Sequence, residues 1–214
     1  MTRARRFGWE ETQDALEDFV QEHGARLNEG GDAFLSEDRT WRFEPPRLQA
    51  IPEGIRSPES YLLEIEAPIG THCLVLMRAG SFALGLWDDE ELLVHKAKKR
   101  YVTRGKGRAQ ATHLKTRGKS RYGSRLRLQN AKAQLEDLAT RLHDIQDGLG
   151  KPRQCWLSCP TRLVADLYGA RPAPPWPRDA WRRVPYHVHE PDFEELCRIR
   201  ELLATGQIVE ESLS

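Results

Sequence analysis

The chain has 214 residues, 39% of them apolar, and its 33 Lys and Arg nearly balance 32 Asp and Glu for a formal net charge of +1. It is long and apolar enough to bury a core, which excludes a wholly disordered chain, and it has no run of about eighteen apolar residues that would cross a membrane. The near-neutral total hides a segregation. His95 to Arg127 holds thirteen Lys or Arg and no acid, leaving twenty bases against thirty-two acids elsewhere. A segment of that sign calls for a polyanion, either nucleic acid or an anionic membrane surface.

The basic start, Met1 to Arg6, leads into the charged stretch Trp9 to Glu17 and not into an apolar signal segment, so a soluble cytoplasmic protein is expected. Leu16, Phe19, Val20 and His23 share one helical face, which predicts a short helix over about Glu10 to His23 with Gly24 as its stop. Residues 28–60 are crowded with turn signals around short strands at Phe34-Leu35 and Trp41 to Phe43. Residues 1–60 therefore read as an N-terminal extension, a helix plus irregular or short strands, and residues 61–214 as the main domain.

From Tyr61 the texture changes to short apolar runs, Tyr61 to Glu66, Cys73 to Arg78, Phe82 to Trp87 and Leu92 to Lys96, which predict strands. The breaks at Ala79-Gly80-Ser81 and Asp88-Asp89-Glu90 suit hairpins, so the last three strands form an antiparallel meander. Strand character continues through Tyr101 and Val102. The glycines at 105, 107, 118 and 123 then forbid a continuous helix, and the basic stretch reads as a flexible cationic arm with the amide of Gln110 near its tip.

The arm returns into a helix predicted from about Ser124 to Gly148, with Leu128, Ala131, Leu135, Leu138, Leu142, Ile145 and Leu149 on one face. That stripe also suits a coiled coil, but a helix lying across the meander is the more economical home. Gln154 to Ser158 predicts a strand, Thr161 to Tyr168 a helix, and Val184 to Val188 another strand. Asp192 and Glu195 make a capping-box pattern for a last helix with Phe193, Leu196, Ile199 and Leu203 inward, closed by Gly206. The order predicts an α/β fold, a mixed sheet with helices on its faces and the basic loop between a strand and a long helix.

Most chemistry-bearing residues outside the arm carry no motif. The four cysteines at 73, 155, 159 and 197 lie in apolar runs and are expected to be reduced, buried thiols. Cys155, Cys159, His187 and His189 would make a four-ligand zinc list, but a predicted strand separates the cysteines, and histidines at i and i+2 on a strand face opposite sides. Neither a metal nor another cofactor is expected. His72, His95, His113 and His143 sit in no nucleophile motif, and Gly105-Lys106-Gly107 is too short and too basic for a nucleotide-binding glycine loop.

The stretch HKAKKRYVTRGKG, the tip GRAQ and the exit THLKTRGKSRYGSRLRLQNAKAQLEDL resemble the catalytic loop of release-factor-like peptidyl-tRNA hydrolases of ribosome quality control, the VLRF family. These are relatives of the central domain of eukaryotic and archaeal class-one release factors. VPYHVHEPDFEEL extends the resemblance, which covers roughly residues 61–205. It implies an RNase-H-like fold of the release-factor middle-domain type, with residues 61–214 as the catalytic domain. It also implies an activity, hydrolysis of the peptidyl-tRNA ester to release stalled nascent chains. The implied partners are the large ribosomal subunit with its peptidyl-tRNA, hence rRNA and tRNA, and no membrane.

Gly107 and Gln110 match the family's GxxQ pattern, whereas Arg108 and Ala109 stand where a GGQ loop has glycines. On this resemblance Gln110, with Gly107, is catalytic. A carboxamide is no ordinary base, but its two donors and one acceptor suit it to orienting a water and a ribose hydroxyl. Arg100, Arg104, Lys106, Arg108, Lys115, Arg117, Lys119 and Arg121 would hold RNA phosphates, and His113 is open either to stacking on a base or to filling the loop. Cleavage of the tRNA near its 3′ end and a non-catalytic ribosome or rRNA anchor are the alternatives.

Overall fold

The computed structural model describes residues 4–65, 68–99 and 119–211, with the side chains of residues 119–124 and 127 outside the description. The chain divides into two compact units, Met1–Gly70 with Arg198–Ser214, and Thr71–Cys197. The sequence reading drew one boundary near residue 60. The structural division falls at Gly70 and again inside the last helix.

In the first unit, strands β1 (Ala4–Gly8), β2 (Arg26–Leu27), β3 (Phe34–Leu35), β4 (Trp41–Glu44) and β10 (Thr205–Glu210) form an antiparallel sheet in the order β1-β10-β4-β3-β2. Helix α1 (Thr12–His23) buries Ala15, Leu16 and Phe19 in a core with Phe7, Phe34, Phe43, Tyr61 and Ile208. Phe43 is the hub, with the rings of Phe7, Phe19 and Phe34 at centroid distances of 5.1, 5.7 and 6.4 Å.

Two expectations change in this unit. Tyr61 to Glu66 is not a strand, because Tyr61 lies in helix α2 (Pro58–Glu64). Ser57 caps that helix by accepting from the Ser60 N–H at 3.3 Å, and Pro58 supplies the helical φ of a first position. The buried Tyr61 hydroxyl donates to the Gln49 carbonyl at 2.6 Å, and burial pushes its pKa well up. Gly206 is likewise no helix stop. It lies within β10, where a Cβ would stand 2.4 Å from the Phe7 ring and 2.9 Å from the Glu44 carbonyl oxygen.

The second unit is built on β5 (Thr71–Arg78), β6 (Ser81–Asp88), β7 (Glu91–Lys99), β8 (Gln154–Ser158) and β9 (Trp181–Arg183), in the order β7-β6-β5-β8-β9. β5, β6 and β7 form the expected antiparallel meander, and β8 and β9 add parallel to β5. β5 and β6 are buried along nearly their whole length, which explains their unbroken apolar sequences. β7 is an edge strand and alternates in exposure. Its lysines at 96, 98 and 99 suit an edge that must not pair with another chain.

Helix α3 (Lys119–Leu149) covers one face of this sheet with Leu138, Leu142 and Ile145, which pack with Val75, Met77, Phe82, Leu84 and Leu86. It starts earlier than expected and carries Gly123 inside it, an interior glycine that costs about 1 kcal/mol relative to Ala. Only the middle of the predicted stripe is buried, since Leu128 is 70% and Leu149 58% exposed. α4 (Thr161–Tyr168) joins the same core through Leu167, and α5 (Phe193–Ala204) starts on the opposite face, with Leu196 against Gly85.

The last strand of this unit is Trp181–Arg183, where the sequence predicts one at Val184 to Val188. Val184 still donates to the Leu157 carbonyl at 3.1 Å, but Pro185 has no N–H with which to extend the ladder.

A polar residue fixes α3 lengthwise. Gln134 is buried, and its Oε1 accepts from the Gly80 N–H at 2.9 Å while its Nε2 donates to the carbonyls of Arg78 and Ser81 at 2.8 and 3.1 Å. All three partners belong to the β5–β6 hairpin. Gln134→Leu keeps most of the volume but strands those backbone groups, so stability should fall by about 1–3 kcal/mol in a urea titration. The thiols give a second check. Cys73 and Cys155 are register partners facing the core; burial holds the Cys73 thiol well above its ordinary pKa, and pushes Cys155 up to about 11 and Cys159 to about 12. Since the thiolate reacts, a thiol reagent at pH 8 should modify the exposed Cys197 first, the half-buried Cys159 more slowly, and Cys73 and Cys155 only as the chain unfolds.

Candidate functional site

The basic segment is framed by two elements of the second unit. β7 ends at Lys99, and α3 begins at Lys119. Arg78 pairs with Ser81 and Ser81 with Lys99, so these three make one row across β5, β6 and β7 at the carboxyl ends of β5 and β7. Parallel pairing brings the carboxyl ends of β8 and β9 to the same side. The chain therefore enters its basic stretch from the end of the sheet where loops of α/β folds usually build their sites.

Gln134 grips the hairpin at this same row, and Leu138, Leu142 and Ile145 follow it down the sheet. Residues 119–133 precede the grip, about 22 Å of helix at 1.5 Å per residue. Ala131 and Lys132 still face α4 across a cavity, whereas Arg125, Leu126 and Leu128 are exposed.

Carboxylates steady the entrance. Lys98 pairs with Asp137 of α3, whose second oxygen lies 3.8 Å from Arg141. Lys99 pairs with Glu190 at 2.5 Å, although both side chains are more than half exposed and such a pair contributes little to stability. His95 packs on Phe193 at 4.6 Å between ring centroids, on the face opposite α3.

Of the residues singled out in the sequence, Lys119 and Arg121 lie in the first turn of α3. Arg100, Arg104, Lys106, Gly107, Arg108, Gln110, His113, Lys115 and Arg117 lie outside the described residues. The expected opposition of His187 and His189 is corrected: the segment is not a strand, and the two rings meet edge to face at 5.0 Å. Among the described residues no group of three or more His, Cys, Asp or Glu is placed to hold a metal ion, and no helix is long and apolar enough to cross a membrane.

Sequence reasoning missed Gln134 and Asp137, which tie α3 to the sheet, and Glu190, which pairs with Lys99. Gln134 had a legible signal, being a lone amide one helical turn before Leu138 on an otherwise apolar face. Glu190 had none, since its pairing with Lys99 joins distant parts of the chain.

A family model described as the Bacteroidetes VLRF1 release factor matches residues 72–211. The fold is similar to a solved structure titled Vms1 mitochondrial localization core, with a TM-score of 0.54 at 12% identity, over 96% of this chain and 82% of that one. No curated protein shows significant sequence similarity to it. The family match takes in all of the second sheet but its first residue, both elements that frame the basic segment and the segment itself, and the chain belongs to the Bacteroidetes VLRF1 release factor family.

Proposed function

We propose that this chain is a ribosome-associated peptidyl-tRNA hydrolase that releases stalled nascent chains, with Gln110 orienting the attacking water at the peptidyl-tRNA ester. One observation carries the reading. The stretch from 100 to 118, which holds GRAQ and no acid, runs between a strand end and a pinned helix within the span matched by the release-factor family. Water would be positioned by the carboxamide of Gln110, with Gly107 as the hinge before it. Positioning of this kind accounts for roughly 7–11 kcal/mol of barrier in well-oriented systems.

The bases divide the labour with Gln110. Arg100, Arg104, Lys106, Arg108, Lys115, Arg117, Lys119 and Arg121 bind phosphates of rRNA and tRNA, and His113 contacts a base or fills the loop. Residues 61–214 make the catalytic part, with an RNase-H-like fold of release-factor type in Thr71–Cys197. Support for that comes from the three antiparallel strands continued by two parallel ones, with helices on both faces. The working place is the cytoplasm, on the large ribosomal subunit.

Gln110→Ala removes the carboxamide and keeps the backbone N–H. Peptide release from stalled nascent-chain complexes should fall by about 10²–10³, the scale of one lost transition-state donor, while ribosome binding stays nearly constant. Release at the parental rate would return the segment to the role of an RNA anchor. A shortened tRNA 3′ end in the products would make the reaction a nucleolytic one.

Binding should also weaken steeply with salt, by a log–log slope of about −0.7 to −0.9 for each phosphate neutralised. Arg117→Ala with Lys119→Ala should flatten the slope by about one unit for each phosphate no longer neutralised. An unchanged slope would place the RNA-binding surface elsewhere.

A further inference from the structure

A second RNA-facing feature lies in the same unit and draws on none of the residues assigned to the basic arm. A cavity of about 750 Å³ opens at the carboxyl ends of β5, β8 and β9, lined among others by Arg78, Ser158, Cys159, Arg183, Tyr186 and His187. Its place follows from the topology. After β8 the chain turns into α4 on the α3 side of the sheet, and after β9 it turns toward α5 on the other side. Between two parallel strands whose connections part in this way, the backbone leaves a crevice, the usual location of ligands in open α/β sheets.

The lining sets the ligand's chemistry. Among the described residues it is lined by two arginines, a tyrosine and a histidine, and by no Asp or Glu. The nearby acids are engaged elsewhere, Glu190 with Lys99, Glu195 with the His189 N–H at 2.6 Å, and Asp192 with the Glu195 N–H at 2.8 Å. Arg78 is oriented by donating one N–H to the Val188 carbonyl, and a guanidinium has five. Arg183 is exposed at the end of β9.

Such a cavity is far larger than one phosphate needs and within the range of small-ligand sites. Among the described residues its lining has no glycine-rich loop of the kind that cradles a nucleoside polyphosphate. Two arginines and two aromatic rings lining one cavity fit a phosphodiester together with its base.

The geometry points to this crevice as a separate binding site for one or two nucleotides of single-stranded RNA, with phosphate on Arg183 and Arg78 and a base against Tyr186 or His187. It rests on the reading of the chain as an RNA-facing release factor. The site lies on the row end where β7 delivers the chain to its basic stretch, so an RNA strand docked there would be held beside the arm and aligned with it.

The test uses the full chain with a fluorescein-labelled single-stranded RNA hexamer carrying one 4-thiouridine, in low salt. The expected crosslink maps to residues 183–188. Arg183→Glu should weaken the hexamer at least tenfold and abolish that crosslink, and Arg183→Lys should restore binding to within about threefold. The crosslink should survive in Arg117→Ala with Lys119→Ala. Parental affinity in Arg183→Glu, a crosslink confined to other peptides, or displacement of the hexamer by millimolar inorganic phosphate would each overturn the proposal; the last would make the cavity a simple anion site.

The hydrolase reading fails separately. Parental peptide release by Gln110→Ala, with the crosslink at 183–188 intact, would remove the catalytic assignment and leave the crevice standing.

Discussion

The second unit depends on one buried carboxamide. Apolar packing holds α3 against the sheet, but dispersion and hydrophobic burial are not directional, and a helix with leucines every three or four residues packs nearly as well one turn up or down. Gln134 removes that freedom. Its three hydrogen bonds reach three backbone groups around a single hairpin, and any other register would leave an amide buried without partners. The start of α3, and with it the return of the basic segment, is thereby referred to the row of Arg78, Ser81 and Lys99.

Charge is handled with the same economy. A run of thirteen bases repels itself, and a fold that buried it would meet a large desolvation cost. Among the described residues, carboxylates meet part of this charge: Lys98 pairs with Asp137 where β7 meets α3, and Lys99 pairs with Glu190 at the exposed surface. Farther along, at Arg125, the side chain is exposed.

The sequence was most legible where one period governed a segment. β8 and α4 appear at the predicted residues, and the meander has its turns at Ala79-Gly80 and Asp89-Glu90, because alternation and turn chemistry are local properties. It was least legible where tertiary context decides. β1 and β10 pair across nearly the whole chain length, and nothing near Ala4 announces that partner. Tyr61 to Glu66 carried strand-forming residues, but Ser57 and Pro58 start a helix whose Tyr61 is needed in the first core. The pairing of Asp137 with Lys98 was equally hidden, since each residue alone reads as an ordinary surface charge.

The tip of the basic segment departs from a glycine pair at Arg108 and Ala109, and that departure has a physical sense. Glycine gives a loop freedom to approach a substrate closely, but it loses more conformational entropy than any other residue when the loop docks. Side chains at 108 and 109 shrink the set of conformations that must be given up on binding, an effect of a few tenths to about 1 kcal/mol for each glycine replaced where the bound φ and ψ are compatible. Arg108 adds a guanidinium two residues from Gln110, where RNA phosphates surround the ester on the proposed reading. On the proposed reading, replacing the glycine pair trades closeness of approach to the ester for a smaller entropy cost when the loop docks.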